Sequence, residues 1–196
     1  LLAPTPAQRS AGRIDSRTEP RLLGSQGGSR ALKETLPAAK ILDLFAVALS
    51  HEKFADAASA LVTELAQRFG CSQVSIGFLR QRDVTITAIS HVTDFREQQT
   101  LVSQIAGAMD ECIDQGVTVQ FPPLAGAKPQ ITQFHGSLSK RQGGAAICSV
   151  PIARAGMPRG VLTFERADGY LTGPTLAQIE HVVALIGPLL ILRRER

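Results

Sequence analysis

Two apolar runs, Ala145 to Ala153 and Gly160 to Glu165, lie on either side of the turn-rich Arg154-Ala155-Gly156-Met157-Pro158-Arg159. This arrangement predicts a β-hairpin whose loop is longer than the tight two-residue kind. Ala145, Ile147 and Ser149 share one face of the first run, and Ala146, Cys148 and Val150 share the other. Neither side is charged, so both should be covered by packed layers. In the second run Gly160, Leu162 and Phe164 oppose Val161, Thr163 and Glu165. Period-two alternation also marks Cys71 to Arg80 and Val84 to His91, a second hairpin around Gln81-Arg82-Asp83. Val74, Ile76 and Phe78 fall on one of its faces. Ser75, Gly77 and Leu79 fall on the other, where the glycine leaves room for close approach to the backbone.

Between and around the hairpins the spacing turns helical. Ile41, Leu42, Phe45 and Leu49 predict an amphipathic helix over Ala38 to Leu49. After Ser50-His51-Glu52 a second helix runs to Phe69, apolar at Phe54, Ala58, Leu61, Val62, Leu65 and Phe69, with Gly70 as its C-terminal cap. A loop from Val92 to Gln98 leads to a third helix, Gln99 to Asp114, which carries Leu101, Val102, Ile105, Ala108, Met109 and Cys112 on one side and stops at Gly116. Val117 to Phe121 reads as a short strand closed by Pro122-Pro123. Leu124 to Gly143 is polar and glycine-punctuated, the material of lids and specificity loops, with a short helix around Ile131 to Arg141. Thr172-Gly173-Pro174 opens a last helix striped by Leu176, Ile179, Val183, Ile186 and Leu190. It should kink at Pro188 and end in water at Arg193-Arg194-Glu195-Arg196.

Composition divides the chain. Residues 1–36 hold six Lys/Arg against three acids and the flexible Gly24-Ser25-Gln26-Gly27-Gly28-Ser29, a basic linker that cannot bury enough surface to order itself. Residues 37–196 form the domain. Of the net charge of +4, the domain therefore carries about +1, and with one Tyr and no Trp it has no basic, aromatic groove for nucleic acid. The longest apolar run, Val182 to Leu192, has eleven positions and is broken by Gly187-Pro188, short of a membrane span. Three widely spaced cysteines in apolar surroundings, Cys71, Cys112 and Cys148, read as reduced core thiols of a cytoplasmic protein. No secretory signal opens the chain, and the missing initiator Met makes a segment of a longer protein the expectation.

The run Val150-Pro151-Ile152, a loop with Gly156, then Gly160-Val161-Leu162 and a strand leading to a final helix resembles the closing hairpin of the GAF domain family. The likeness reaches upstream to about Pro37 in the order of elements. It implies an α+β fold: an antiparallel sheet of about six strands, terminal helices on one face, and a covering helix with loops on the other. It also implies a non-enzymatic sensor or regulatory module and a homodimer built through the terminal helices. A second, looser resemblance rests on Ala48-Leu49-Ser50-His51-Glu52-Lys53-Phe54, Gly70-Cys71, Ala108-Met109-Asp110-Glu111 and Gly187-Pro188-Leu189-Leu190. These look like the cytoplasmic GAF segment of bacterial membrane-fusion adaptors of secretion or efflux systems. In that setting the membrane would be reached only through a segment absent from this chain.

Candidate chemistry is sparse. The sequence has no Cys-x-x-Cys, His-Glu-x-x-His or Gly-x-Ser-x-Gly, and no glycine-rich phosphate loop opening a helix. One GAF branch reduces free methionine sulfoxide with thiolates, which makes a thiol-dependent reductase the alternative. No two cysteines are close in sequence, however, and none has a basic neighbour to lower its pKa. The Asn-Lys pair of the cyclic-nucleotide branch is missing, since the chain contains no Asn. The bilin-attaching Cys-His is missing too, because Ile113 follows Cys112. Haem needs a single His and nothing selects it, so the cofactor is unknown. The resemblance places a small-molecule cavity between the sheet and the third helix. Its expected lining is Phe78, His91, Phe95, Ile105, Met109, Cys112, Phe134, His135, Cys148 and Thr163, mostly apolar with a few polar groups. The same residues would equally make a filled core without a ligand.

Overall fold

The computed structural model describes residues 37–92, 99–168 and 171–196, all within one compact unit, Lys33–Arg196. The expected linker, 1–36, lies outside the described residues. Among the described residues the elements follow in the order α1 (Ala38–Leu49), α2 (Phe54–Phe69), β1 (Gln73–Arg80), β2 (Asp83–Ile89), α3 (Gln99–Gln115), β3 (Val119–Phe121), α4 (Gln133–Arg141), β4 (Ala146–Arg154), β5 (Met157–Arg166) and α5 (Gly173–Arg194). The strands form one antiparallel sheet in the order β2-β1-β5-β4-β3. Among the described residues five strands stand where about six were expected.

The alternation read along the strands sets the two layers. Val74, Ile76, Phe78, Cys148, Val150, Ile152, Leu162 and Phe164 face α1, α2 and α5 in one apolar core. Val84, Ile86, Ile147 and Val161 face Ile105, Ala108, Met109 and Cys112 of α3 and Leu138 of α4 in the other. Predicted caps occur as expected: Gly70 ends α2 at φ 61° and Gly116 follows α3 at φ 65°, both in the left-handed region that a side chain resists.

The closing hairpin differs from expectation in its loop. Arg154 pairs with Met157, and the two residues between them, Ala155 and Gly156, have φ of 51° and 78°. This is the tight two-residue turn whose twist matches that of the strands. Pro158, read as part of a longer loop, pairs with Ala153 beside a register shift at Ile152/Ala153. A residue without an N–H is tolerated where the ladder is already irregular.

Helix α5 closes the first layer. Gly187 lets it approach β4, since a Cβ there would stand 2.9 Å from Cγ2 of Ile152. The helix continues through the exposed Pro188 to Arg194. Arg193 donates to the carbonyls of Ala48, His51 and Glu52, binding the end of α5 to the α1–α2 turn and satisfying groups that a helix end leaves open. By length and composition Gly173–Arg194 is long and apolar enough to cross a membrane, with a mean hydropathy of 1.8 over its eighteen-residue window; 39% of that window is buried in the fold. The run counted in the sequence stopped short because Gly187-Pro188 interrupted it, whereas the helix does not stop there.

Candidate functional site

Three small hydroxyl residues stand in a row across the middle of the sheet. Ser75 of β1 lies opposite Thr163 of β5, and Thr163 lies opposite Ser149 of β4, all on the face covered by α3 and α4. Each is fully buried. Above Ser149, the first turn of α4 lowers His135 until its Nε2 is 2.9 Å from the Ser149 hydroxyl. His135 Nδ1 is 2.7 Å from Glu111 of α3, and the same carboxylate accepts the backbone N–H groups of Phe134 and His135 at 2.8 and 3.2 Å. Glu111 thus serves α4 as an N-terminal anion, where the helix dipole favours one.

Burial pushes the Glu111 carboxyl up. The hydrogen bonds from the His135 ring and from the Phe134 and His135 amides outweigh it, so its pKa is lowered on balance. Burial pushes the His135 imidazole down, against the pull of Glu111, and keeps it neutral. Directions follow from these charge states. An ionised Glu111 can only accept, so His135 donates from Nδ1 and its Nε2 has only a lone pair to offer. Ser149 must therefore donate to His135, and Thr163, 2.9 Å from Ser149, must donate to Ser149. The hydroxyl of Ser75 at the far end has no hydrogen-bond partner.

Two residues along β5 on the same face, Glu165 is 1% exposed. Its Oε2 accepts from Gln142 at 2.9 Å, and its Oε1 has no partner. Burial raises its pKa to about 7, with the Gln142 bond pulling slightly the other way. One end of the polar row is therefore a closed, ionised relay, and the other presents unpartnered oxygens in an apolar interior, which is costly unless something binds them. The carboxylate–imidazole–hydroxyl order is that of an acyl-transfer triad. Ser149, however, lies mid-strand between β3 and β5 and is wholly buried.

Of the residues expected to line a cavity, Ile105, Met109, Cys112, His135 and Thr163 come together in the α3–α4 layer. Phe78 and Cys148 do not: odd and even strand positions face opposite ways, and both residues are buried with α1, α2 and α5. Phe78 instead meets Phe54 edge-on at 5.6 Å. Phe134 is 46% exposed and rests on Gly107, where its ring occupies the space of a Cβ. His91 is exposed in the turn after β2, at φ 61°. Phe95 lies outside the described residues. The room at Gly77 is taken by Met109, whose Sδ would be 2.7 Å from a Cβ at that position.

Sequence reasoning passed over Glu111, Ser149, Ser75 and Glu165. The available signal was the polar member in three otherwise apolar alternations, and it gains meaning only once the strand order is known. The thiols match the reading as core groups. All three are free and buried; burial pushes Cys71 and Cys112 up to about 12 and Cys148 well above its ordinary value. The sheet separates Cys112 from Cys71 and Cys148.

No protein-family model matches the chain, and no curated protein does. Solved structures do. The GAF domain of an Acinetobacter phosphoenolpyruvate-protein phosphotransferase is 10% identical with a TM-score of 0.58, covering 80% of this chain and 94% of its own. The A. aeolicus nlh2 GAF domain in an inactive state is 14% identical with a TM-score of 0.56, over the same shares. Free methionine-R-sulfoxide reductase from Neisseria meningitidis, in complex with its substrate, is 12% identical with a TM-score of 0.55, covering 79% of this chain and 88% of its own. The chain therefore has the GAF fold, as the closing hairpin suggested. These likenesses lend no support to the membrane-fusion adaptor setting.

Proposed function

We propose that the chain is a non-enzymatic regulatory module of the GAF type, binding a small molecule between the sheet and α3–α4 within a larger bacterial protein on the cytoplasmic side. The observation that carries this reading is the buried polar row. Its relay from Glu111 to Thr163 is fully partnered, while Ser75 and Glu165 keep open oxygens in the same layer. Such groups persist in a core at a cost, and a ligand offering hydrogen bonds would offset it.

Pairing of two copies through α1 and α5 is the second part of the reading. Leu42 and Leu49 on α1 are 67% and 57% exposed, and Leu185 and Leu192 on α5 are 40% and 47% exposed. Each pair is spaced by seven residues, so each forms a stripe along its helix, and the two helices are neighbours. The thiol-dependent reductase is the competing activity, and the chemistry opposes it. A nucleophilic cysteine needs a depressed pKa and access, whereas all three here are buried and raised.

Thermal denaturation across a library of small metabolites tests the sensor reading. A ligand that binds only the folded state raises Tm in proportion to the logarithm of its concentration. The Thr163→Val variant should lose that response. Absence of any shift across the library would leave only the dimerising role. NADPH-coupled sulfoxide reduction that is present in the parent and lost in Cys112→Ser or Cys148→Ser would overturn the non-enzymatic reading.

A further inference from the structure

A polar opening lies away from the α3–α4 layer. The segment after β3 folds against the first two turns of α5 and leaves a pocket of about 150 Å³, whose walls include Leu124, Ala127 and Leu176. Gln120 of β3 also lines it. Val119 and Phe121 flank Gln120 on the strand, and the pleat turns its side chain to the opposite face from theirs. It is 5% exposed. Its Nε2 donates to the Leu171 carbonyl at 3.1 Å, which fixes the orientation of the amide, and its Oε1 has no partner.

Lys128 and Glu180 complete the lining. Both are exposed, and among the described residues neither takes part in an ion pair or side-chain hydrogen bond. A fixed buried acceptor and a carboxylate call for a charged N–H donor, and an ammonium on the lining calls for an anion. The apolar wall suits a short aliphatic stem, and the volume admits only a few heavy atoms.

We propose that this pocket is a separate binding site for a small zwitterion of the amino-acid class. The ammonium of the ligand sits on Gln120 Oε1 and Glu180, and its carboxylate sits on Lys128. The site is independent of the α3–α4 layer.

Amide chemical shifts of the ¹⁵N-labelled chain, titrated with L-alanine and with 4-aminobutyrate, test it, with butyrate and butylammonium as probes carrying one charge each. The expected result is saturable shifts at Gln120, Ala127 and Leu176 with at least one zwitterion, and weaker binding of both single-charge probes. Lys128→Met and Glu180→Gln, exposed substitutions that leave Tm unchanged, should each weaken binding about fivefold. Gln120→Met should weaken it further, while Ser149→Ala, which alters the other layer, should leave it intact. No saturable shift up to about 20 mM of either zwitterion would overturn the proposal. So would binding indifferent to Lys128→Met and Glu180→Gln, or single-charge probes that bind as well as the zwitterions.

Discussion

At the scale of single residues, buried titratable groups pull stability in opposite directions with pH. Glu165 has a folded pKa of about 7 against an ordinary 4.5. The stability tied to its neutral form is therefore complete below the unfolded value and lost as pH rises through about 7. Glu165→Gln should remove that loss. Its unfolding free energy relative to the parent, read in urea unfolding, should rise between about pH 5 and about pH 8 by on the order of 3 kcal/mol. Glu111 and His135 act the other way. Both have lowered folded pKa values, so their contribution is present above the unfolded values and lost as pH falls through the folded ones. Glu111→Gln keeps the shape but gives up a charged acceptor for three donors. It should cost about 2 kcal/mol at neutral pH in urea unfolding. The cysteines make a simpler prediction. A thiol reagent should find none of the three reactive in the native protein at neutral pH and all three after unfolding.

At the scale of elements, the sheet depends on where side chains are missing. A Cβ at Gly160 would stand 2.6 Å from the Phe78 ring and 2.7 Å from the Gly77 carbonyl oxygen. The ring is held between Phe54 and the guanidinium of Arg194 4.8 Å above it, and the carbonyl is backbone, so neither yields cheaply. Gly160→Ala should destabilise by about 1–3 kcal/mol in urea unfolding, with the β1–β5 amides among those shifted. Helix α4 shows the converse dependence. Its sequence, QFHGSLSKR, has little apolar content, and its N-terminal N–H groups rely on Glu111. The same Glu111→Gln variant should therefore lose hydrogen-exchange protection first in Gln133–Arg141, before the sheet opens.

At the scale of the whole molecule, the two ends of the domain meet. α1 and α5 pack on one face, and Arg193 ties the end of α5 to the turn after α1. Both helices keep exposed leucines, Leu42 and Leu49 on α1 and Leu185 and Leu192 on α5. Sedimentation of the full chain should show a concentration-dependent dimer, and Leu42→Lys with Leu185→Lys should shift it to monomer without lowering the monomer's helix content. A parent that stays monomeric at high concentration would remove dimerisation from the proposed role.

The order and type of the elements followed from the sequence alone, because each strand and helix advertises its own period and its own breaker. Gly70, Gly116 and the alternation around Ile76 and Leu162 are local statements, and local structure obeyed them. Tertiary structure alone decided which polar residues meet. Ser75, Ser149 and Thr163 are separated by 74 and 14 positions and become neighbours only through the β1-β5-β4 order, and Glu111 reaches His135 only once α3 and α4 lie side by side. For the same reason Phe78 and Cys148, apolar and well placed along the chain, ended on the opposite side of the sheet from Thr163. Period two says which residues share a face within one strand, and only strand pairing says which faces coincide.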